Sequence, residues 1–224
     1  MNGKAPRLIL LRHGEVTSHR GDHPLSAAGR AQAEGAGRHL AAMGLGAVRV
    51  LSGNTQRTRE TAQLVREGFA AADPSAAVSG PEVAFALRNP DLYLAGVRVD
   101  MVSSPEAFAE QVPGLTADDV LAVPFFTGWF AAPDRIEWWV RHPSPPGDDA
   151  AGAAARLVAF AASLGDPGPA VPDTVVGVTH SPLLRAVSLT FTGVDPGEPP
   201  NLNGFAVELL PDGSVRAAAF DPFA

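Results

Sequence analysis

Leu8-Ile9-Leu10-Leu11-Arg12-His13-Gly14-Glu15 is the stretch that decides the fold: four aliphatic residues run without a break into an arginine, a histidine, a glycine and an acid. A continuous apolar run of this length predicts a strand buried on both faces, as in the middle of a parallel sheet. Ligands of such sheets bind beyond the carboxyl ends of the strands, where Arg12 and His13 emerge. Gly14 is expected to let the chain bend straight after the histidine at no steric cost. A second run, Thr174-Val175-Val176-Gly177-Val178-Thr179, also reads as a core strand, and it ends on His180. In a parallel sheet both imidazoles reach the same edge. Two histidines and an arginine there suit a phosphoryl group, since one imidazole can attack phosphorus while a guanidinium spreads the charge of the oxygens.

Between these strands the punctuation is regular. Ser26 is a candidate N-cap for a helix running to about Met43, and Val48 to Leu51 reads as a strand. Ser52-Gly53-Asn54 is a turn and cap before a helix over 55–72, and 76–79 reads as an edge-like strand stopping at Gly80-Pro81. From 82 to 146 the pattern breaks up. Pro and Gly interrupt a stretch rich in aromatics, with short helices expected over 105–111, 116–122 and 134–140. This segment reads as an insertion over the site within one domain spanning 1–224. Phe125, Phe126, Trp129, Trp138 and Trp139 are expected chiefly to form the core of a small helical cap; the other account has them line an apolar subsite. Asp148 or Asp149 caps an Ala-rich helix ending near Leu164, and a loop runs from Gly165 to Pro172. Pro182 sits in the first turn of a helix, where proline is tolerated. The runs 205–210 and 215–220, joined by Pro211-Asp212-Gly213, predict a hairpin.

The totals narrow the function. The chain has 224 residues, 46% of them hydrophobic and 18% charged, enough for a substantial core. A net charge of −7 argues against nucleic-acid or anionic-membrane partners. With no cysteine, disulfides, thiolate chemistry and cysteine-based zinc sites are excluded. No His-Glu-x-x-His or carboxylate cluster suggests a metal. The apolar run after Arg7 stops at Leu11, too short for a signal segment or a membrane span, so a soluble, cytoplasmic protein is expected.

Three blocks resemble the histidine phosphatase superfamily, also called phosphoglycerate mutase-like. Arg12-His13-Gly14-Glu15, with Asp22, Pro24-Leu25-Ser26, Gly29 and Gln32-Ala33, is similar to its opening motif and first helix. Leu51-Ser52-Gly53-Asn54-Thr55-Gln56-Arg57-Thr58-Arg59-Glu60-Thr61-Ala62 resembles its second block, and Val178-Thr179-His180-Ser181-Pro182-Leu183-Leu184-Arg185-Ala186 its third. The resemblance implies an α/β three-layer sandwich with a mostly parallel central sheet flanked by helices. It also implies a metal-independent phosphomonoesterase, without cofactor, acting on a small phosphorylated metabolite. His13 would be the nucleophile, forming a phosphohistidine; Arg12, Arg57 and His180 would hold the phosphoryl oxygens. Arg59 and Arg66, on the same helix as Arg57, read as solvated.

Two positions depart from the family pattern. Asn89, in Leu87-Arg88-Asn89-Pro90-Asp91, falls where the family usually places a glutamate that protonates the leaving oxygen. Asp91 is the preferred substitute and Glu82 the second candidate. His19 stands where several relatives carry a phosphate-contacting asparagine, and is a candidate substrate ligand. Glu15 reads as a residue orienting a histidine or arginine. The neighbouring alternatives are a mutase-type phosphotransferase, disfavoured by the missing Glu-Arg-x-Tyr context, and a weakly active protein that binds phosphorylated ligands, suggested by Asn89.

Overall fold

The computed structural model describes residues 7–166, 172–210 and 215–224. The turn at Pro211-Asp212-Gly213 and most of the loop between Gly165 and Pro172 lie outside these residues. A six-stranded sheet in the order β3-β2-β6-β1-β7-β8 forms the centre. Strands β1 (Arg7–Arg12), β2 (Val48–Ser52), β3 (Val78–Val83) and β6 (Thr174–Thr179) are parallel neighbours. The predicted hairpin, β7 (Gly204–Leu209) with β8 (Val215–Phe220), adds antiparallel to the free side of β1.

The side chains of β1 alternate between two cores, as the two-residue period of a strand requires. Ile9 and Leu11 pack with Val176 and Val178 of β6 beneath the helices α1 (Ala27–Ala42) and α2 (Gln56–Ala72). Leu8 and Leu10 point the other way, into a core that includes Ala153 and Leu157 of α7 (Ala150–Ser163) and Leu183 and Val187 of α8 (Ser181–Thr192). Helices thus cover both faces of a mixed, mostly parallel sheet, giving the three layers expected.

Caps fix the helix starts. The Ser26 side chain accepts from the Gly29 N–H, as predicted, and Asp149 does the same for α7 with Gly152. At α2 the cap is Thr55, which accepts from the Thr58 N–H, and not the Ser52-Gly53-Asn54 turn. Strand β3 also differs from expectation: it begins at Val78 and passes through Gly80-Pro81 to Val83. The pairing register with β2 shifts at this point, so the two residues that read as a stop form a bulge. An edge strand tolerates proline because one side of its backbone needs no sheet partner.

Between β3 and α7 the chain forms a 3-10 turn (Phe85–Leu87), a small hairpin of β4 (Leu92–Leu94) and β5 (Val97–Val99), and four short helices. These are α3 (Pro105–Ala109), α4 (Ala117–Leu121), α5 (Pro124–Ala131) and α6 (Arg135–Arg141). Phe108, Phe125, Phe126, Trp129, Trp139 and Val140 are buried in the core that α7 and α8 share with the sheet. The Trp139 indole N–H donates to the Asp148 carbonyl at 2.8 Å, which satisfies its one polar atom. Most of these aromatics are therefore core, the first of the two accounts. Among the described residues, no helix is long and apolar enough to cross a membrane.

Candidate active site

Register brings the two histidines together. Arg12 of β1 lies opposite Thr179 of β6, and the next N–H along, that of His13, donates to the Thr179 carbonyl at 3.0 Å. His13 and His180 therefore leave adjacent strands at the same level. Their ring centroids are 5.5 Å apart, edge to face at 67°. The His13 Nδ1 lies 2.7 Å from the Gly14 carbonyl, which can only accept, so the proton sits on Nδ1. Nε2 then carries the free lone pair needed for attack.

The turn after His13 is braced from both helices of the α1–α2 layer. The Gly14 N–H donates to Thr61 Oγ1 at 3.0 Å, and that hydroxyl donates to the Arg57 carbonyl at 2.7 Å. Gly14 keeps φ in the ordinary range, so bending is not what demands glycine here. Close approach is: a Cβ on Gly14 would fall 2.7 Å from the Gly29 carbonyl oxygen, and one on Gly29 would fall 2.1 Å from the Glu15 oxygen. Glu15 does not orient a histidine or arginine. Its carboxylate accepts from Ser26 Oγ at 2.6 Å, and so it ties the turn to the start of α1.

Arg12 and Arg57 flank the imidazoles. Arg57 stands in the first turn of α2, 8% exposed, with Asp22 at 3.5 Å. Arg12 donates to the Pro199 carbonyl and pairs with Glu198, both at 2.5 Å. Arg59, by contrast, turns to the Asn54 carbonyl at the surface. Burial, then the nearby Arg57 charge, pushes the His13 imidazole down to about 3 against the Gly14 hydrogen bond. The same two causes hold His180 well below its ordinary range. Both rings are thus neutral near pH 7, which leaves His13 free to act as a nucleophile.

These groups line one cavity of about 520 Å³. His19 stands at its rim, its ring centroid 6.1 Å from that of His13, and partial burial with Arg57 nearby lowers its pKa. Asn89, 5% exposed, also lines the cavity, at the position where a glutamate was expected. One wall is apolar, built from Met101, Val102, Trp129 and Ile136. Of the five aromatics considered, only Trp129 lines this cavity. Both ring nitrogens of His180, Oδ1 of Asn89 and Nε1 of Trp129 are buried without a hydrogen-bond partner among the described residues. Buried polar atoms are normally paired, and these four belong to residues that line the cavity.

The expected acids lie elsewhere. Asp91 does not line the cavity; Arg88 and Arg98 hold its two oxygens at 2.9 and 2.5 Å, and these bonds keep its pKa low against partial burial. A carboxylate fixed between two guanidinium groups is a poor proton donor. Glu82 pairs with Arg49 on the exposed edge strand, also away from the cavity. The carboxylates that do line it are Asp134 and Glu198, neither singled out in the sequence. For Glu198 a signal existed. A hairpin added antiparallel to β1 must begin at the carboxyl edge of the sheet, and Gly204 does pair with Leu11. The residues just before it are thereby returned to the site. No cluster of His, Asp and Glu able to hold a metal ion occurs among the described residues.

The histidine phosphatase superfamily (branch 1) model matches residues 8–75. No curated protein matches the chain. Solved structures sharing the fold include a mycobacterial glucosyl-3-phosphoglycerate phosphatase complexed with VO3, at 23% identity and TM-score 0.59, covering 97% of this chain and 98% of that one. A putative α-ribazole-5'-P phosphatase from Escherichia coli follows at 18% identity and TM-score 0.57, covering 97% and 96%. A phosphoglycerate mutase from Bacillus anthracis has 16% identity and TM-score 0.59, covering 96% and 92%. The resemblance to the histidine phosphatase superfamily is thus borne out, by its family model over the first and second blocks and by the fold over nearly the whole chain. In fold this is a phosphoglycerate mutase-like protein.

Proposed function

We propose that the chain is a metal-independent phosphomonoesterase that transfers the phosphoryl group of a small ester to His13 and then to water. The observation that carries this is the neutral His13 ring, with its proton fixed on Nδ1, beside His180 in a cavity also lined by the buried Arg57 and the partly buried Arg12. His13 Nε2 attacks phosphorus, the P–O ester bond breaks, and the leaving oxygen takes the electron pair. Arg12, Arg57 and His180 bind the equatorial oxygens, for which the planar guanidinium fork is well shaped. Their work is positioning and charge stabilisation, the main demands of phosphoryl transfer. Water then attacks the phosphohistidine, and the P–N electron pair returns to His13. In this reading His19, at the rim, contacts the phosphate or its leaving group. The wall of Met101, Val102, Trp129 and Ile136 favours an ester with an apolar portion, which supports a phosphatase reading over one for phosphoglycerate.

Asn89 in the cavity favours a second reading, a protein that binds phosphorylated ligands with little turnover. One experiment separates the two. Wild type should hydrolyse an aryl phosphate and yield an acid-labile phosphohistidine on rapid quench, and His13→Ala should do neither. A wild-type protein that binds inorganic phosphate but shows no turnover and no phosphohistidine would replace the first reading with the second.

A further inference from the structure

We propose that Glu198 is the group that protonates the leaving oxygen, in place of the glutamate that Asn89 displaces. This rests on the phosphatase reading above and assigns one more role within the same site. The chemistry needs a carboxyl facing the cavity, and the described residues offer two. Asp134 is committed elsewhere. It caps α6 through the Glu137 N–H, and both its oxygens lie within 3.0 Å of the fully buried Arg185 guanidinium. Asp22 and Asp100 lie close enough to Arg57 to sustain its charge but do not line the cavity. Glu198 is held differently. One oxygen pairs with Arg12 and the other accepts from Ser181 Oγ, each at 2.5 Å, and the side chain is about half exposed.

Its cation is therefore the same guanidinium that the reaction draws onto the phosphoryl oxygens. When a phosphate ester binds and Arg12 turns to it, Glu198 loses its counter-charge and faces an anion, both of which favour its protonated form. The proton arrives with the substrate, because a phosphate monoester has a second pKa of about 6 and binds in part as the monoanion. It passes from the phosphate to Glu198. As the P–O bond breaks, it passes on to the leaving oxygen, which departs as an alcohol. In the second half the Glu198 carboxylate takes a proton from the attacking water as its oxygen bonds to phosphorus and the P–N bond breaks, and then returns that proton to the product, which leaves as the phosphate monoanion. Ser181, whose hydroxyl steadies one oxygen, is a positioning residue.

General acid catalysis matters most when the leaving group is a poor one. Glu198→Gln should lower kcat/KM, which reports only the first half-reaction, by about 10²- to 10³-fold on an alkyl phosphate and by less than about 10-fold on 4-nitrophenyl phosphate. The ratio of the two rates within one variant is unaffected by any loss of folded protein. Equal losses on both esters, or no loss on either, would overturn the role of Glu198 while leaving His13 in place. Failure of the wider reading looks different: His13→Ala would then keep the wild-type activity on both esters.

Discussion

Acidification provides a direct test of the charge state assigned to the two imidazoles. His13 is 3% exposed and titrates near 3 in the folded chain, against 6.5 for a free imidazole. Between these values the unfolded chain binds a proton that the folded chain excludes, so stability rises with pH across the window and is lost as pH falls below 6.5. Taking the two populations at each pH, His13 alone contributes a loss of about 2 kcal/mol between pH 7 and pH 5. His180 and His19, both lowered, act in the same direction. Asp91 and Asp195 are lowered as well, but a carboxylate of this kind loses its contribution only below its unfolded value of 3.8, outside the interval. The assay is urea unfolding at pH 7 and pH 5 in phosphate-free buffer, wild type against His13→Asn. Asparagine keeps a donor for the Gly14 carbonyl and removes the titration. Wild type should lose about 2 kcal/mol more than the variant over this interval. Coincident losses would refute the account of a neutral, buried nucleophile.

Two further substitutions probe what holds the site in shape. Arg185 is 1% exposed and bridges Asp134 and Asp195, so Arg185→Met leaves the buried Asp195 without a cation and should cost about 3–5 kcal/mol, read from denaturant midpoints. Thr61→Val removes the acceptor of the Gly14 N–H and should cost about 1–3 kcal/mol, seen as a Tm fall of roughly 2–10 °C.

The parts of this chain legible in its sequence are those ruled by local physics. The β1 and β6 runs are apolar because both their faces are buried, and Ser26 and Asp149 announce their helices through side-chain caps. Arg12, His13 and His180 were legible because they directly follow those runs. Helix α5 was not: Phe125, Phe126, Trp129 and Phe130 do share one face, but eight residues opening on Pro124, broken by Gly128 and holding Thr127 as their one polar side chain are too few to display a helical period. The β4–β5 hairpin strands are three residues each, too short to show alternation. Asp91 was misjudged for a different reason. Distance along the chain from Arg88-Asn89 says nothing of Arg98, and it is the Arg88–Arg98 pair that holds the carboxylate away from the cavity. Glu198 lies far along the chain from Arg12, and only the antiparallel return of β7 brings the two within reach.

The pairing of β1 with β6 also bears on how such a site can diversify. The gap between the two imidazoles is measured out by the spacing of neighbouring strands, about 4.8 Å and among the least adjustable lengths in a protein. Mutation cannot stretch that ruler gradually, since slipping one strand by a residue turns its side chains to the opposite face. Drift in the helices beyond β5 meets no such barrier, because Met101, Trp129 and Ile136 ride on short segments that sheet pairing does not fix. New appetites for leaving groups can accumulate there while the phosphorus-handling end keeps its gauge.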